Sequence, residues 1–260
     1  MTDINTDELR SSAVIFAPHP DDETLGCGGT IIRKIQTGGQ VDLVFLTDGS
    51  RSHSKVISSA RLKEIRESEA RAAAGVLGVQ EDRVTFLRYD NHHLNDYEDD
   101  AVERVRELLK RLGASQVFVP CCLENIPDHR LTHRIVRKAI MKGDSPVNIY
   151  EYPVWFWLHW PWVSLPWLHP RRSLEMLKCT VIARFGFRMM MRFRSSVFIG
   201  DVLNVKRRAL DEYRSQMTRL VPNVPWTILS DVGKGDFLNC FFQERELFYC
   251  YRMTPSPGEA

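Results

Sequence analysis

From Ser12 to Tyr152 the chain alternates short β-branched runs with longer stretches whose apolar residues recur every three or four positions. That alternation is the signature of β-α-β units built around a parallel sheet. Strands are predicted at Ala13 to Ala17, Val41 to Leu46, Val84 to Leu87, Val117 to Val119 and Ile149 to Tyr152. Between them, Ser58 to Leu77 carries Ile65, Ala72, Ala73, Val76 and Leu77 near helical spacing, and Gly78 follows as a stop. Ala101 to Leu112 repeats the pattern, with Val102, Val105, Leu108, Leu109 and Leu112 on one stripe and Gly113 at its end. A third helix is predicted over Asp128 to Met141, with Leu131, Ile135, Val136, Ala139 and Ile140 facing inward and Asp128 in the first turn as a cap or dipole partner.

Past Tyr152 the pattern changes. All six tryptophans lie between Trp155 and Trp226, five of them in Trp155 to Trp167. Pro161, Pro166 and His159 interrupt that run, so it does not supply the roughly 20 continuous apolar residues of a membrane span. It has three readings: core filling, a stacking platform for a sugar ring, or a peripheral membrane contact helped by Arg171, Arg172 and the basic, methionine-rich stretch Arg184 to Arg194. A further helix is predicted from Leu203 to Met217, with Leu203, Leu210 and Met217 on one side. The expected organisation is a Rossmann-like α/β core over residues 1–152 and an aromatic-rich C-terminal cap over 153–260, packed on the core as one unit.

The net charge of +2 over 260 residues removes any global electrostatic reason for a nucleic-acid partner. Six cysteines form no C-x-x-C pair, which fits a reducing compartment. Met1 to Ser12 is polar and acidic where a signal peptide needs a basic and then an apolar region, so a cytoplasmic location is expected.

The chemistry concentrates in Pro18-His19-Pro20-Asp21-Asp22-Glu23, directly after the first strand. An imidazole and three carboxylates arrive there in one turn, at the strand end where open α/β sheets bind ligands. A catalytic zinc takes three protein ligands and keeps a fourth position open. His19 and Asp22 can supply two, and His129 is the best third, because Pro127-Asp128-His129 follows a strand that ends at the same edge of the sheet. Asp21 and Asp22 are adjacent on non-helical backbone, so their side chains should diverge. Asp22 then binds metal while Asp21 acts as general base toward a metal-activated water. One Zn²⁺ per chain is expected, although Fe²⁺ or Co²⁺ suits the same nitrogen and oxygen donors. Gly26, Gly28 and Gly29 are not a G-x-G-x-x-G loop and read better as sites of close helix packing.

Together with Thr47-Asp48-Gly49, Arg66-Glu67-Ser68-Glu69, Pro127-Asp128-His129-Arg130 and Leu-Asp-Glu-Tyr-Arg-Ser-Gln at 210–216, the hexapeptide resembles the PIG-L (LmbE-like) family of zinc-dependent N-deacetylases. The resemblance implies His19, Asp22 and His129 as zinc ligands and Asp21 as base, the four that spacing had selected. It implies hydrolysis of an acetamido group on an N-acetylglucosamine-type conjugate, small or lipid-linked, to acetate and amine. It also brings Arg66 toward the substrate and makes Asp128 an orienting group. Ile126 departs from members that place an oxyanion-stabilising histidine there, which leaves zinc itself, His133 or His159 for that task.

Several of these residues have a plainer reading. Arg66 could pair with Glu69 on its own helix, His133 could be a packing histidine, Glu23 could be a first-turn acid instead of an orienting group, and Asp48 could simply end a strand. The rival functions are a metal-dependent hydrolase of another bond and a non-catalytic membrane- or partner-binding module.

Overall fold

The computed structural model describes residues 1–91, 93–164, 170–184 and 186–255. Trp167 and the side chains of Arg171 and Arg172 lie outside the described residues. Eight strands form one sheet: β1 (Thr2–Asp3), β2 (Ala13–Ala17), β3 (Val41–Thr47), β4 (Val84–Tyr89), β5 (Gln116–Pro120), β6 (Val147–Tyr152), β7 (Ser195–Phe198) and β8 (Arg245–Met253). Their order is β1-β7-β8-β6-β5-β2-β3-β4, with β2 to β6 mutually parallel and β8 antiparallel to both β6 and β7. The fold is mixed α/β, as the alternating pattern implies. The sheet also continues past residue 152 through β7 and β8.

The helices around the sheet include α1 (Thr6–Arg10), α2 (Asp22–Gln36), α3 (Ser59–Leu77), α4 (Glu98–Leu112), α5 (Pro127–Met141), α6 (Pro170–Ile182), α7 (Phe187–Arg192), α8 (Leu203–Asp211) and α9 (Arg214–Met217). The Ser58 hydroxyl accepts from the Arg61 N–H at 3.3 Å to start α3, and Gly78, at φ 92°, ends it. Both boundaries follow from capping chemistry.

Every residue of β2 is buried, and successive residues serve opposite layers. Ala13, Ile15 and Ala17 join one apolar core, while Val14 and Phe16 join the other. Such two-sided burial is what makes a parallel strand a continuous apolar run. Helix α2 lies close on the sheet because Gly26 has no side chain: a methyl there would come within 2.3 Å of the Tyr152 ring. That ring is itself fixed by a 2.7 Å hydrogen bond from its hydroxyl to the Phe16 carbonyl.

One predicted helix divides. The stretch expected to run from Leu203 to Met217 breaks between α8 and α9, where Tyr213 has φ −76° and ψ 59°. The heptad-spaced apolar residues favour continuity, but the fully buried Tyr213 ring reaches Glu23 instead, and this tertiary bond outweighs local helix propensity.

Candidate metal centre

Strands β2 and β5 are neighbours, and β2 runs on to β3 and β4 while β5 runs on to β6. The chain therefore reverses its direction of travel across the sheet between β2 and β5, and the loops leaving these two strands open a crevice there. The hexapeptide leaves β2, and Cys121 to Ile126 leaves β5 and leads into α5. The first loop is pinned to β3, since the Thr47 N–H and hydroxyl donate to the Pro18 carbonyl at 3.0 and 2.8 Å.

The crevice brings His19, Asp22 and His129 together, with their ligand atoms all within 4.8 Å of one another. Asp22 Oδ2 lies 3.2 Å from His19 Nδ1 and 3.2 Å from His129 Nε2. The His129 ring is 0% exposed, yet neither of its nitrogens makes a hydrogen bond. A buried polar atom without a partner is costly and calls for one. Two imidazole nitrogens and a carboxylate oxygen converging at such a point fit a divalent cation with a preference for nitrogen and oxygen donors. The electrostatics agree. Burial opposes a charge on His19, but its hydrogen bonds to Asp128 and Asp22 prevail and raise its pKa to about 9. The Asp22 carboxyl, although burial works to raise it, is held well below the usual carboxylate range by His129 and His19. The site attracts positive charge.

Behind each imidazole stands a second carboxylate. Asp128 Oδ2 is 3.2 Å from His19 Nε2, and Glu124 Oε2 is 3.5 Å from His129 Nδ1. Carboxylates in this position fix ring orientation and tautomer at metal sites. Glu124 is buried, and its other oxygen accepts from the Val154 N–H at 2.6 Å. Sequence reasoning had no claim on Glu124; the only available signal was an acid in the loop between β5 and α5.

Asp21 precedes α2 with φ 125° and ψ −30°, a conformation that ordinary side chains rarely adopt. Its surroundings hold it there. The Asp21 N–H donates to Glu23 Oε2 at 3.2 Å, while Arg66 Nη2 donates to Asp21 Oδ2 at 3.1 Å and to the Pro20 carbonyl. Burial lifts the Asp21 carboxyl well above its usual range, against the pull of Arg66 and with the Asp22 charge adding to the rise. Arg66 Nη1 also donates to the Gly49 carbonyl at 3.3 Å. Gly49 has φ 61°, and a methyl there would come within 2.7 Å of Arg66 Nη1, so Thr47-Asp48-Gly49 supplies both the turn and the space.

Arg66 thus turns to Asp21, and Glu69 turns elsewhere: its two oxygens accept from the Ser215 N–H and hydroxyl at 2.7 and 2.6 Å. Glu23 accepts from the Tyr213 hydroxyl at 2.6 Å and from Thr24. The 210–216 motif is therefore a brace that grips the hexapeptide through Tyr213 and α3 through Ser215. Asp48 faces Ser50 and Lys63 instead of the imidazoles, with Oδ1 accepting from the Ser50 N–H at 3.1 Å.

His133 stands one turn beyond His129 but lies outside the trio; its Nε2 is 2.9 Å from Glu151 Oε1. Glu151 also takes bonds from Tyr251 and Arg192, and Cys122 completes a second group of ligand-type atoms. His159 is held through Nδ1 by the Phe156 carbonyl at 2.6 Å, and its Nε2 is buried without a hydrogen bond. Of the aromatic run, Trp157 is buried and Trp155 stacks on Phe237 at 4.7 Å, whereas Trp160 and Trp162 are exposed.

Comparison with known proteins bears on the fold and the family. Residues 14–140 match the family model PIG-L, GlcNAc-PI de-N-acetylase. A 1D-myo-inositol 2-acetamido-2-deoxy-alpha-D-glucopyranoside deacetylase of Salinispora arenicola is 30% identical over 58% of this chain and 58% of its own length. A diacetylchitobiose deacetylase of Thermococcus kodakarensis is 27% identical over 76% of this chain and 67% of its own. The chain spans about a quarter of the length of one curated relative it matches and just over half of the Salinispora deacetylase. The structure of N,N'-diacetylchitobiose deacetylase from Pyrococcus horikoshii superposes with a TM-score of 0.63 at 19% identity, covering 93% of this chain and 84% of that one. Residues 14–140, just under half of the chain, carry a PIG-L (LmbE-like) family domain.

Proposed function

We propose that this chain is a zinc-dependent hydrolase that removes the acetyl group from an acetamido sugar, with His19, Asp22 and His129 as ligands and Asp21 as general base. The observation that carries the reading is the convergence of two imidazole nitrogens on Asp22 beside a buried Asp21 braced by Arg66. The relatives named for deacetylation of acetylated sugars support the same bond and substrate class. A bound zinc would polarise the acetyl carbonyl and acidify water. Asp21 accepts the proton of the attacking water as the carbon–oxygen bond forms. It returns that proton to the nitrogen as the carbon–nitrogen bond breaks, so acetate and a free amine leave and the base is restored. Arg66 holds the Asp21 carboxylate in place, Asp128 keeps the His19 imidazole aimed inward, and Glu124 stands 3.5 Å behind His129 Nδ1. Fe²⁺ and Co²⁺ suit the same donors. A lipid-linked acetamido sugar is the finer form of the substrate we favour, reached through contact with a membrane surface.

The test is acetate release from a panel of acetamido sugar conjugates, soluble and lipid-linked, by zinc-loaded protein. Asp21→Asn should retain one ion per chain and lose release; near-normal turnover in that variant overturns the base assignment. A two-metal hydrolase of another bond finds one observation in its favour, the Cys122, His133 and Glu151 group. Two bound ions per chain would support it, but Arg192 and Tyr251 already occupy Glu151.

A further inference from the structure

Large apolar side chains are expected inside a folded chain, and a contiguous exposed patch of them marks an interaction surface. Nine of the thirteen exposed large hydrophobics among the described residues fall between Trp160 and Met191. Met190 is 74% exposed and Val181 63%, and Leu174, Ile182, Phe187 and Met191 each have more than half their surface in water. Helix α6 is apolar on both sides. Met176, Thr180 and Ala183 face the core, while Leu174, Leu177 and Val181, spaced by three and four, face out. A surface helix ordinarily keeps its outer side polar, and this one places Leu174, Leu177 and Val181 there. Helix α7 repeats the arrangement, with Met189 inside and Phe187, Met190 and Met191 outside.

We propose that α6 and α7, flanked by Trp160 and Trp162, form a face that docks on the surface of an anionic lipid bilayer. Charge identifies the occupant. Residues 170–194 hold seven arginines and lysines against the single carboxylate of Glu175, in a chain whose net charge is only +2. Lys178, Arg184 and Arg194 are exposed beside the apolar residues. A two-fold pairing of this face with its own copy would bring like charges together, whereas anionic headgroups complement them. Basic residues around an apolar stripe, with tryptophans at the rim, are the composition of an interfacial segment. No helix among the described residues is long and apolar enough to cross a membrane, so the contact lies along the surface.

The face is tied to the rest of the fold at both ends. Thr180 Oγ1 accepts from the Trp160 N–H at 3.0 Å. At the end of α7, Arg192 Nη2 donates to Glu151 Oε2 at 2.9 Å, and Glu151 in turn contacts His133, one turn beyond His129 on α5. Docking would therefore set the crevice end of the sheet close to headgroup level. The docking proposal does not rest on the hydrolase reading, and its test uses no substrate.

The experiment is flotation of the full chain with phosphatidylcholine vesicles containing phosphatidylglycerol, compared with phosphatidylcholine alone. Binding to the anionic vesicles is expected, weaker by about tenfold or more without phosphatidylglycerol or at raised salt, since each surface cation contributes to attraction. Combining Val181→Asp, Met190→Asp and Met191→Asp should abolish flotation while circular dichroism and monomer mass stay as in the wild type. Lys178→Glu with Arg194→Glu should weaken it with the apolar face intact. Absence of binding to anionic vesicles overturns the proposal, as does equal binding by the triple variant. A dimer in light scattering that dissociates in the triple variant, without vesicle binding, assigns the face to a second copy and also overturns it.

Discussion

The crevice at the ends of β2 and β5 and the outer face of α6 and α7 break the usual rule of burial in opposite directions. In the crevice, Asp21, Asp22, Glu23, Arg66, Glu124 and His129 are charged or polar and buried; on the outer face, Met190, Val181 and Phe187 are apolar and exposed. Buried polar groups and exposed apolar patches are the informative departures from average packing. The two differ in how the fold supports them. The buried carboxylates and cation hold one another through a dense set of hydrogen bonds, so removal of one member leaves another stranded. The exposed side chains have most of their surface in water, so their replacement should cost little stability and alter mainly what the face meets.

The largest effect that would sharpen this contrast is expected at Arg66. Arg66→Met removes the cation beside Asp21 and the donors to the Pro20 and Gly49 carbonyls. Breaking a buried pair by deleting one partner costs about 3–5 kcal/mol. Denaturant unfolding should register a loss of that order. A loss below about 1 kcal/mol, the level of an exposed ion pair, would show that the crevice is not the interlocked unit described.

Next is Tyr213→Phe, which leaves the ring in place and removes only the hydroxyl that donates to Glu23. Thr24 still donates to the same Glu23 oxygen, so the loss is that of one hydrogen bond to a carboxylate, about 1.5–3 kcal/mol. The loss should appear in unfolding and also in catalysis, because Glu23 accepts the Asp21 N–H that steadies its unusual backbone. A stability loss without any change in acetate release would confine the brace to folding.

Glu124→Gln tests the carboxylate behind His129 and should lower metal affinity about 10–100-fold, the usual consequence of losing an outer carboxylate. Competition with a chromophoric chelator measures this directly. Unchanged affinity would mean that the 3.5 Å approach of Glu124 to His129 Nδ1 does not set the ring.

How far each region was legible follows from the same contrast. The hexapeptide, its strand and the candidate third ligand on α5 could be read because the strand run, the turn residues and the order of strands are all local or topological signals. The 210–216 motif could be read as a motif, but not the grip of its Tyr213 on Glu23 and of its Ser215 on Glu69, 190 and 146 positions away, nor the place of Glu124 behind His129, which no period in the chain encodes. Strand β8 escaped for a related reason: its run Leu247 to Tyr251 has strand-forming residues, but its partners β6 and β7 lie far back in the chain. On α6 and α7 the composition was legible and the exposure was not. Periodicity shows that a segment has an apolar side; it does not say whether the remaining apolar side is covered.

The smallest effect is expected where the apolar residue is most exposed. Met190→Lys replaces a side chain that is 74% in water, at a position whose neighbour Met189 supplies the inward contact of α7. A surface substitution away from caps, cavities and buried polar groups usually changes stability by no more than about 0.5 kcal/mol. Lysine also has higher intrinsic preference for a helix than most polar residues, so the helix itself gives no reason for loss. Thermal unfolding of Met190→Lys should therefore overlay the wild type. A clear destabilisation would mean that this side chain packs against the protein in solution, and the comparison between a self-supporting crevice and an unsupported outer face would fail at its second term.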